Sequence, residues 1–190
     1  TTTTNEICEL RLPSGTCVRL FYPASRNNNN TTVEGNEMEI MAPYCTNGRQ
    51  TSNGMAALVG FRQLRLSFLL GHLADASSGC IENATMINSD RDDTSNSENN
   101  DNNNNPPLLI YSHGYGGNMD MATYFFRTMA SKGMTVAALE HTDGTASSTV
   151  LDTGMERRFN EYLLTGRQQL TRRASLLLEA AEFLPNEIRR

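Results

Sequence analysis

The chain has 190 residues, 38% of them hydrophobic, with 16 Lys+Arg against 21 Asp+Glu and a formal net charge of -5. That length suits one domain, and an acidic chain with dispersed basic residues is a poor fit to nucleic acid. No apolar run approaches the roughly 20 residues needed to cross a bilayer, and Cys8, Cys17, Cys45 and Cys80 show neither a C-x-x-C pair nor a histidine at zinc-ligand spacing, so no metal or other cofactor is expected.

The segment "ELRLPSGTCVRLFYP" alternates apolar and polar residues around a Pro-Ser-Gly turn, which predicts an antiparallel hairpin over Glu9 to Tyr22 that Pro23 ends. Cys8 and Cys17 flank the turn at a spacing that would let them face each other across it. From Glu34 to Asn53 no period is sustained, and a surface loop is expected. Between Leu58 and Ala74 the spacing predicts an amphipathic helix, with Phe61, Arg65, Phe68 and His72 on one side and Leu66, Leu69, Leu70 and Leu73 on the neighbouring arc. Such a helix either packs on the core or, through residues 61–73, meets a lipid surface. Residues 75–105 run into "NSENNDNNNN" and read as a disordered Asn-rich insertion, because so polar a tract buries too little apolar surface to offset its ordering entropy.

After Pro106 and Pro107 the character changes. Leu108 to Ser112 reads as a buried strand, Met119 to Ser131 as a helix closed by Gly133, and Met134 to Leu139 as a second strand. Together they form a βαβ unit with a parallel strand pair. "EHTDGTASSTVLDTG" is expected to be a loop, and Arg158 to Leu184 a long amphipathic helix carrying Phe159, Leu163, Leu170, Ala174, Leu177, Ala181 and Leu184, with Gly166 as a place where it splits. A further strand is expected to begin near "LPNEIRR".

The informative stretch is "LLIYSHGYGGNMD", where a strand runs into His113, Gly114, Tyr115, Gly116 and Gly117. Glycines there let backbone N-H groups turn toward an anion. A Walker A loop is excluded, since no lysine follows until Lys132. A dinucleotide-binding βαβ module would place Glu140 where a ribose-binding acid belongs, although Met119 stands where the third glycine is required. An oxyanion hole of α/β-hydrolase type, often carried by a His-Gly loop, also fits. The remaining reading is a tight turn with His113 as a hydrogen-bonding strut.

"PLLIYSHGYGG" followed by "MASKGMTVAALEHTDGTASST" resembles the platelet-activating factor acetylhydrolase family. "VRLFYPAS" is similar to that family's early strand, and "QQLTRRASLLLEAAEFL" to the helix that precedes its nucleophile strand. The resemblance implies an α/β-hydrolase sheet flanked by helices, of which this chain supplies the N-terminal part, and a serine esterase that removes short or oxidised sn-2 acyl groups from a phospholipid substrate without metal. It implies that the Tyr115 backbone N-H contributes to the oxyanion hole, with His113 and Gly114 positioning it. It also implies that Glu140-His141-Thr142-Asp143 anchors a loop rather than forming a triad, and His72 is expected to be structural. No G-x-S-x-G occurs in the sequence, so nucleophile, acid and base are expected beyond Arg190, and Ser112, without a base beside it in sequence, is not expected to be nucleophilic. A non-catalytic lipid- or protein-binding fragment is the remaining alternative.

Overall fold

In the computed structural model, residues 3–25, 40–61, 63–82, 106–160 and 162–188 are described. The N-terminal alternation forms the expected hairpin, with β1 (Thr3–Arg11) antiparallel to β2 (Cys17–Ser25). The positive φ of Gly15 closes its turn. β2 does not stop at Pro23 but runs through it, opposite Asn5. Pro23 is tolerated because the other neighbour of β2 reaches only Val18 to Phe21, so at Pro23 one side of the strand needs no donor. The register sets Cys8 against Leu20 and Cys17 against Arg11, so the two cysteines do not face each other and no disulfide links them.

β3 (Met41–Pro43) and α1 (Arg49–Leu58) occupy much of the segment expected to be a loop. α1 buries Thr51, Ser52, Gly54 and Ala56, small or polar residues that give no apolar period. The helix expected from Leu58 to Ala74 is not continuous. α1 ends at Leu58, Gly60 and Arg65 both take positive φ, and a 3-10 helix covers Ser67–Ala74 without a buried residue. β4 (Ser77–Glu82) lies inside the span assigned to the insertion; its buried positions are Ser78 and Cys80, and the remaining residues of that span, 83–105, lie outside the described residues.

The βαβ unit appears as β5 (Leu108–Ser112), α2 (Thr123–Ala130) and β6 (Thr135–Leu139), with β5 parallel to β6. Where a loop was expected, β7 (Ser148–Val150) pairs with β8 (Glu156–Arg158). The last helix, α3 (Gly166–Ile188), starts at Gly166 instead of being split by it and continues past Pro185, where a strand was expected to begin. Its buried residues are Leu176, Ala180 and Leu184, spaced at i, i+4 and i+8, whereas Leu170 and Leu178 stay exposed.

The main sheet has the order β3-β4-β1-β2-β6-β5, with β1 and β4 parallel and β2 and β6 antiparallel. Strand alternation divides its side chains between two layers. Phe21, Val136 and Ala138 pack with Phe126 and Ala130 of α2, while Val18, Leu20, Ala137 and Leu139 pack with Ala180 and Leu184 of α3. This is an α/β sheet with helices on both faces. Among the described residues no helix is long and apolar enough to cross a membrane.

One buried ion pair ties the sheet to the segment before α2. Arg19 Nη1 lies 2.5 Å from Asp120 Oδ1, both side chains are almost fully buried, and Asp120 also accepts the Thr46 N-H and hydroxyl. The Arg19 guanidinium further donates to the carbonyls of Tyr44 and Pro43. Removing one partner leaves the other charge buried and uncompensated, so Asp120→Ala is expected to lower stability by about 3–5 kcal/mol in urea titrations. A loss below about 1 kcal/mol, the range of surface pairs, would contradict this.

Candidate active site

Strand register decides which side chains meet where β5 and β6 end. Ser112 is paired with Leu139, so the next residues, His113 and Glu140, stand side by side. Beyond the last paired residues the alternation of the strands no longer separates the side chains, and the rings of His113 and His141 meet with centroids 4.5 Å apart. Two polar pairs result, Glu140 with His113 and Ser112 with His141, in contact through the two imidazoles.

His113 is buried, and its Nε2 lies 3.0 Å from Glu140 Oε1. Glu140 also accepts the His141 N-H at 3.0 Å and, at 3.4 Å, that of Met119. Burial raises the Glu140 pKa, an effect that the His113 hydrogen bond and charge oppose. With both oxygens turned inward, Glu140 is not available to a ribose, which removes the acid that a dinucleotide site would need. At the other edge of the imidazole, His113 Nδ1 is 2.9 Å from the Gly114 carbonyl oxygen. A carbonyl only accepts, so Nδ1 carries a hydrogen, an assignment made from the network.

That contact fixes a peptide plane. The Gly114 carbonyl and the Tyr115 N-H belong to one peptide; among the described residues no peptide bond is cis, so the two groups point in opposite directions. The carbonyl is held by His113 Nδ1-H and by the Gly117 N-H at 3.0 Å. The Tyr115 N-H is therefore directed away from the His113 ring. Gly114 and Tyr115 are exposed, while His113 and the residues from Gly116 to Asp120 are buried. A Cβ added at Gly114 would meet nothing within 4 Å. Open space therefore adjoins this peptide.

The flanks of the turn are sewn down. Gly116 N-H donates to the Thr145 carbonyl at 2.7 Å and Ser147 N-H to that of Gly117 at 2.8 Å. Gly116 has φ +75, and the Leu58 side chain fills the place of its missing Cβ, so no other residue fits there without a shift. The Tyr115 ring meets Phe159 edge-on, with centroids 4.9 Å apart.

In the second pair His141 Nε2 is 2.7 Å from Ser112 Oγ. Sequence reasoning gave Ser112 no base, and the structure supplies one, because residues 29 apart meet across a parallel strand pair. The pair lacks the rest of a nucleophilic site: His141 is fully buried, and its Nδ1 has no hydrogen-bond partner to orient it. Burial, followed by the charges of His113 and Arg173, lowers the His141 pKa to about 3, so the ring stays neutral. Asp143 turns elsewhere. It accepts the Thr145 N-H at 3.0 Å and Arg173 Nε-H at 3.0 Å, and although burial alone would raise its pKa, these bonds hold it below the usual carboxylate range. The carboxylates of Glu140 and Asp143 are thus both engaged with neighbouring backbone and side chains. His72 is exposed on the 3-10 helix. Among the described residues no group of three His, Cys, Asp or Glu could hold a metal ion.

The mixed sheet with helices on both faces, and a strand-His-Gly turn at the end of β5, define an α/β-hydrolase-type fold. A ferulic acid esterase from Streptomyces cinnamoneus shares it, with a TM-score of 0.51 and 18% sequence identity over 83% of this chain and 38% of that one. The chain therefore spans well under half the length of that relative. No curated protein matches the sequence significantly. The family model of platelet-activating factor acetylhydrolase, isoform II, matches residues 4–171, and the chain belongs to that family of esterases.

The His141 shift has a consequence for stability. Between pH 6.5 and about 3 the unfolded chain protonates this imidazole and the folded chain does not. Its contribution is complete above pH 6.5 and lost as the pH falls, at about 1.4 kcal/mol per pH unit. Glu140, whose pKa is raised, acts in the opposite sense in this range, so the comparison is made against a variant that keeps it. The stability difference between the unaltered chain and His141→Gln, measured by urea titration, should shrink at about that slope between about pH 6 and pH 4. A difference independent of pH would contradict a buried neutral imidazole.

Proposed function

We propose that the chain forms the oxyanion side of an ester-hydrolysing site acting on phospholipids with short or oxidised sn-2 acyl groups. The Tyr115 N-H is the donor that meets the negative oxygen of the tetrahedral intermediate. The observation that carries this reading is the inward anchoring of the Gly114 carbonyl by His113 Nδ1-H, which directs the N-H of the same peptide outward. When a nucleophile adds to an ester, the carbonyl electron pair moves onto oxygen. A donor already aimed at that oxygen stabilises the transition state without reorganising, and one such donor contributes about 3–4 kcal/mol. Gly114 leaves the approach open, and His113 holds the plane. No G-x-S-x-G lies within the 190 residues, so the proposal assigns no nucleophile, acid or base to this chain.

The apolar segment at residues 61–73 supplies the surface that meets the substrate's membrane or lipoprotein. Phe68 is 70% exposed, Leu64 67% and Leu69 45%. Exposed apolar side chains of this kind bind the interfacial region of a bilayer in proportion to the apolar area they bury there.

Three measurements follow. Titrating the 15N-labelled chain with methylphosphonate, a tetrahedral oxyanion, should move the Tyr115 amide proton downfield more than any other amide, and Gly114→Ala should weaken the effect while leaving the thermal midpoint nearly unchanged. The chain alone should hydrolyse 4-nitrophenyl acetate no faster than buffer. Serine-reagent-sensitive turnover that disappears in Ser112→Ala would move the nucleophile to the Ser112–His141 pair and overturn the assignment. Independently, the chain should float with phosphatidylcholine vesicles, and Phe68→Asp should reduce the floated fraction; equal flotation of both would remove the lipid role of that segment.

A further inference from the structure

We propose that Arg173, projecting from α3, is the positioning residue of the oxyanion turn and acts by pinning the peptides on both flanks of Tyr115. This rests on the reading that the Tyr115 N-H is the donor. The β5–β6 ladder ends at Ser112 and Leu139. A continuing parallel ladder would direct the His141 N-H at the His113 carbonyl, but that N-H goes to Glu140 Oε1. The His113 carbonyl is met instead by Arg173 Nη1-H at 2.8 Å, from 60 residues along the chain. This contact sets the His113–Gly114 peptide, the one just before the Gly114–Tyr115 peptide.

The same guanidinium reaches the other flank. Its Nε-H donates to Asp143 Oδ2 at 3.0 Å and its Nη2-H to the Thr145 hydroxyl. The carbonyl of Thr145 in turn accepts the Gly116 N-H at 2.7 Å. One planar cation therefore touches the turn directly at His113 and, through Thr145, at Gly116, leaving the Gly114–Tyr115 peptide suspended between two fixed points. A guanidinium suits this task because its donors lie in a rigid fork, so bonding to Asp143 and Thr145 sets the direction left for His113. A lysine keeps the charge but offers no such plane. Arg172, one residue earlier, donates to the Thr142 hydroxyl and reaches neither flank, which makes it a natural control.

A structural ion pair alone would predict that Arg173 substitutions change stability and nothing else. The test is the Tyr115 amide shift on methylphosphonate titration, read in the unaltered chain, Arg173→Lys, Arg172→Lys and Arg173→Ala with and without millimolar guanidinium. The apparent affinity should fall about tenfold in Arg173→Lys, equivalent to about 1.4 kcal/mol; it should be unchanged in Arg172→Lys, and guanidinium should restore part of the response to Arg173→Ala. If the arginine variants do not fold, Thr145→Val, which removes the Nη2 acceptor and keeps the arginine, decides the matter by showing a weakened response or an unaltered one. Equal responses in the unaltered chain and in folded Arg173→Lys would overturn the role of Arg173 alone. Silence of Tyr115 in the unaltered chain would overturn the oxyanion reading, and the Arg173 proposal with it.

Discussion

A trans peptide cannot turn its carbonyl inward without turning its N-H outward, and the candidate site is built on that constraint at Gly114–Tyr115. The carbonyl is held beneath the turn by the His113 imidazole and the Gly117 N-H. In a strand, a helix or a regular hairpin the backbone ladder would set that plane. Here the chain leaves the sheet one residue after the β5–β6 pairing ends, so the plane is set by a side chain. The requirement then passes to whatever holds His113, since an imidazole free to rotate would release the carbonyl.

What holds it is a polar cluster at the ends of β5 and β6, in which the His113 and His141 rings touch. Glu140 fixes Nε2 from one side, while Arg173 takes the His113 carbonyl from the side of α3. Buried polar groups of this kind lower stability when any member is unpaired, and they rigidify the turn when all are paired. His141 shows what an incomplete partnership costs. Its Nδ1 is buried without a partner, and the ring stays neutral because the surroundings do not repay a charge. The cluster therefore stiffens the turn and provides no second reactive centre, which fits a chain whose proposed part in catalysis is electrostatic.

The readable parts of the sequence were those where one physical signal dominated. The hairpin, the βαβ unit and the glycine turn each combine a clear period with punctuating Gly or Pro, and all three are present. α1 was hidden because its buried face is Thr51, Ser52, Gly54 and Ala56, and β4 because Ser78 and Cys80 carry its burial. The apolar stretch from Leu58 to Ala74 misled in the opposite direction: Gly60 and Arg65 interrupt it with positive φ, a backbone preference that an apolar count does not register. In α3 the apolar residues cover more than one arc, and the sheet selects Leu176, Ala180 and Leu184 over Leu170 and Ala174. At the site, His113, Gly114 and Tyr115 were singled out as candidates from the motif, whereas the Ser112–His141 and Arg173–His113 contacts were not foreseen. Both join residues far apart in sequence and depend on strand register, which no local pattern encodes.

The most direct test of this account is the hydrogen bond that fixes the peptide plane. In the 13C,15N-labelled chain, a scalar coupling across the hydrogen bond between His113 Nδ1 and the Gly114 carbonyl carbon should be detectable, with the Nδ1 shift of a protonated nitrogen. No coupling, together with the shift of an unprotonated Nδ1, would mean that the Gly114 carbonyl is not anchored and that nothing directs the Tyr115 N-H toward a reacting oxygen.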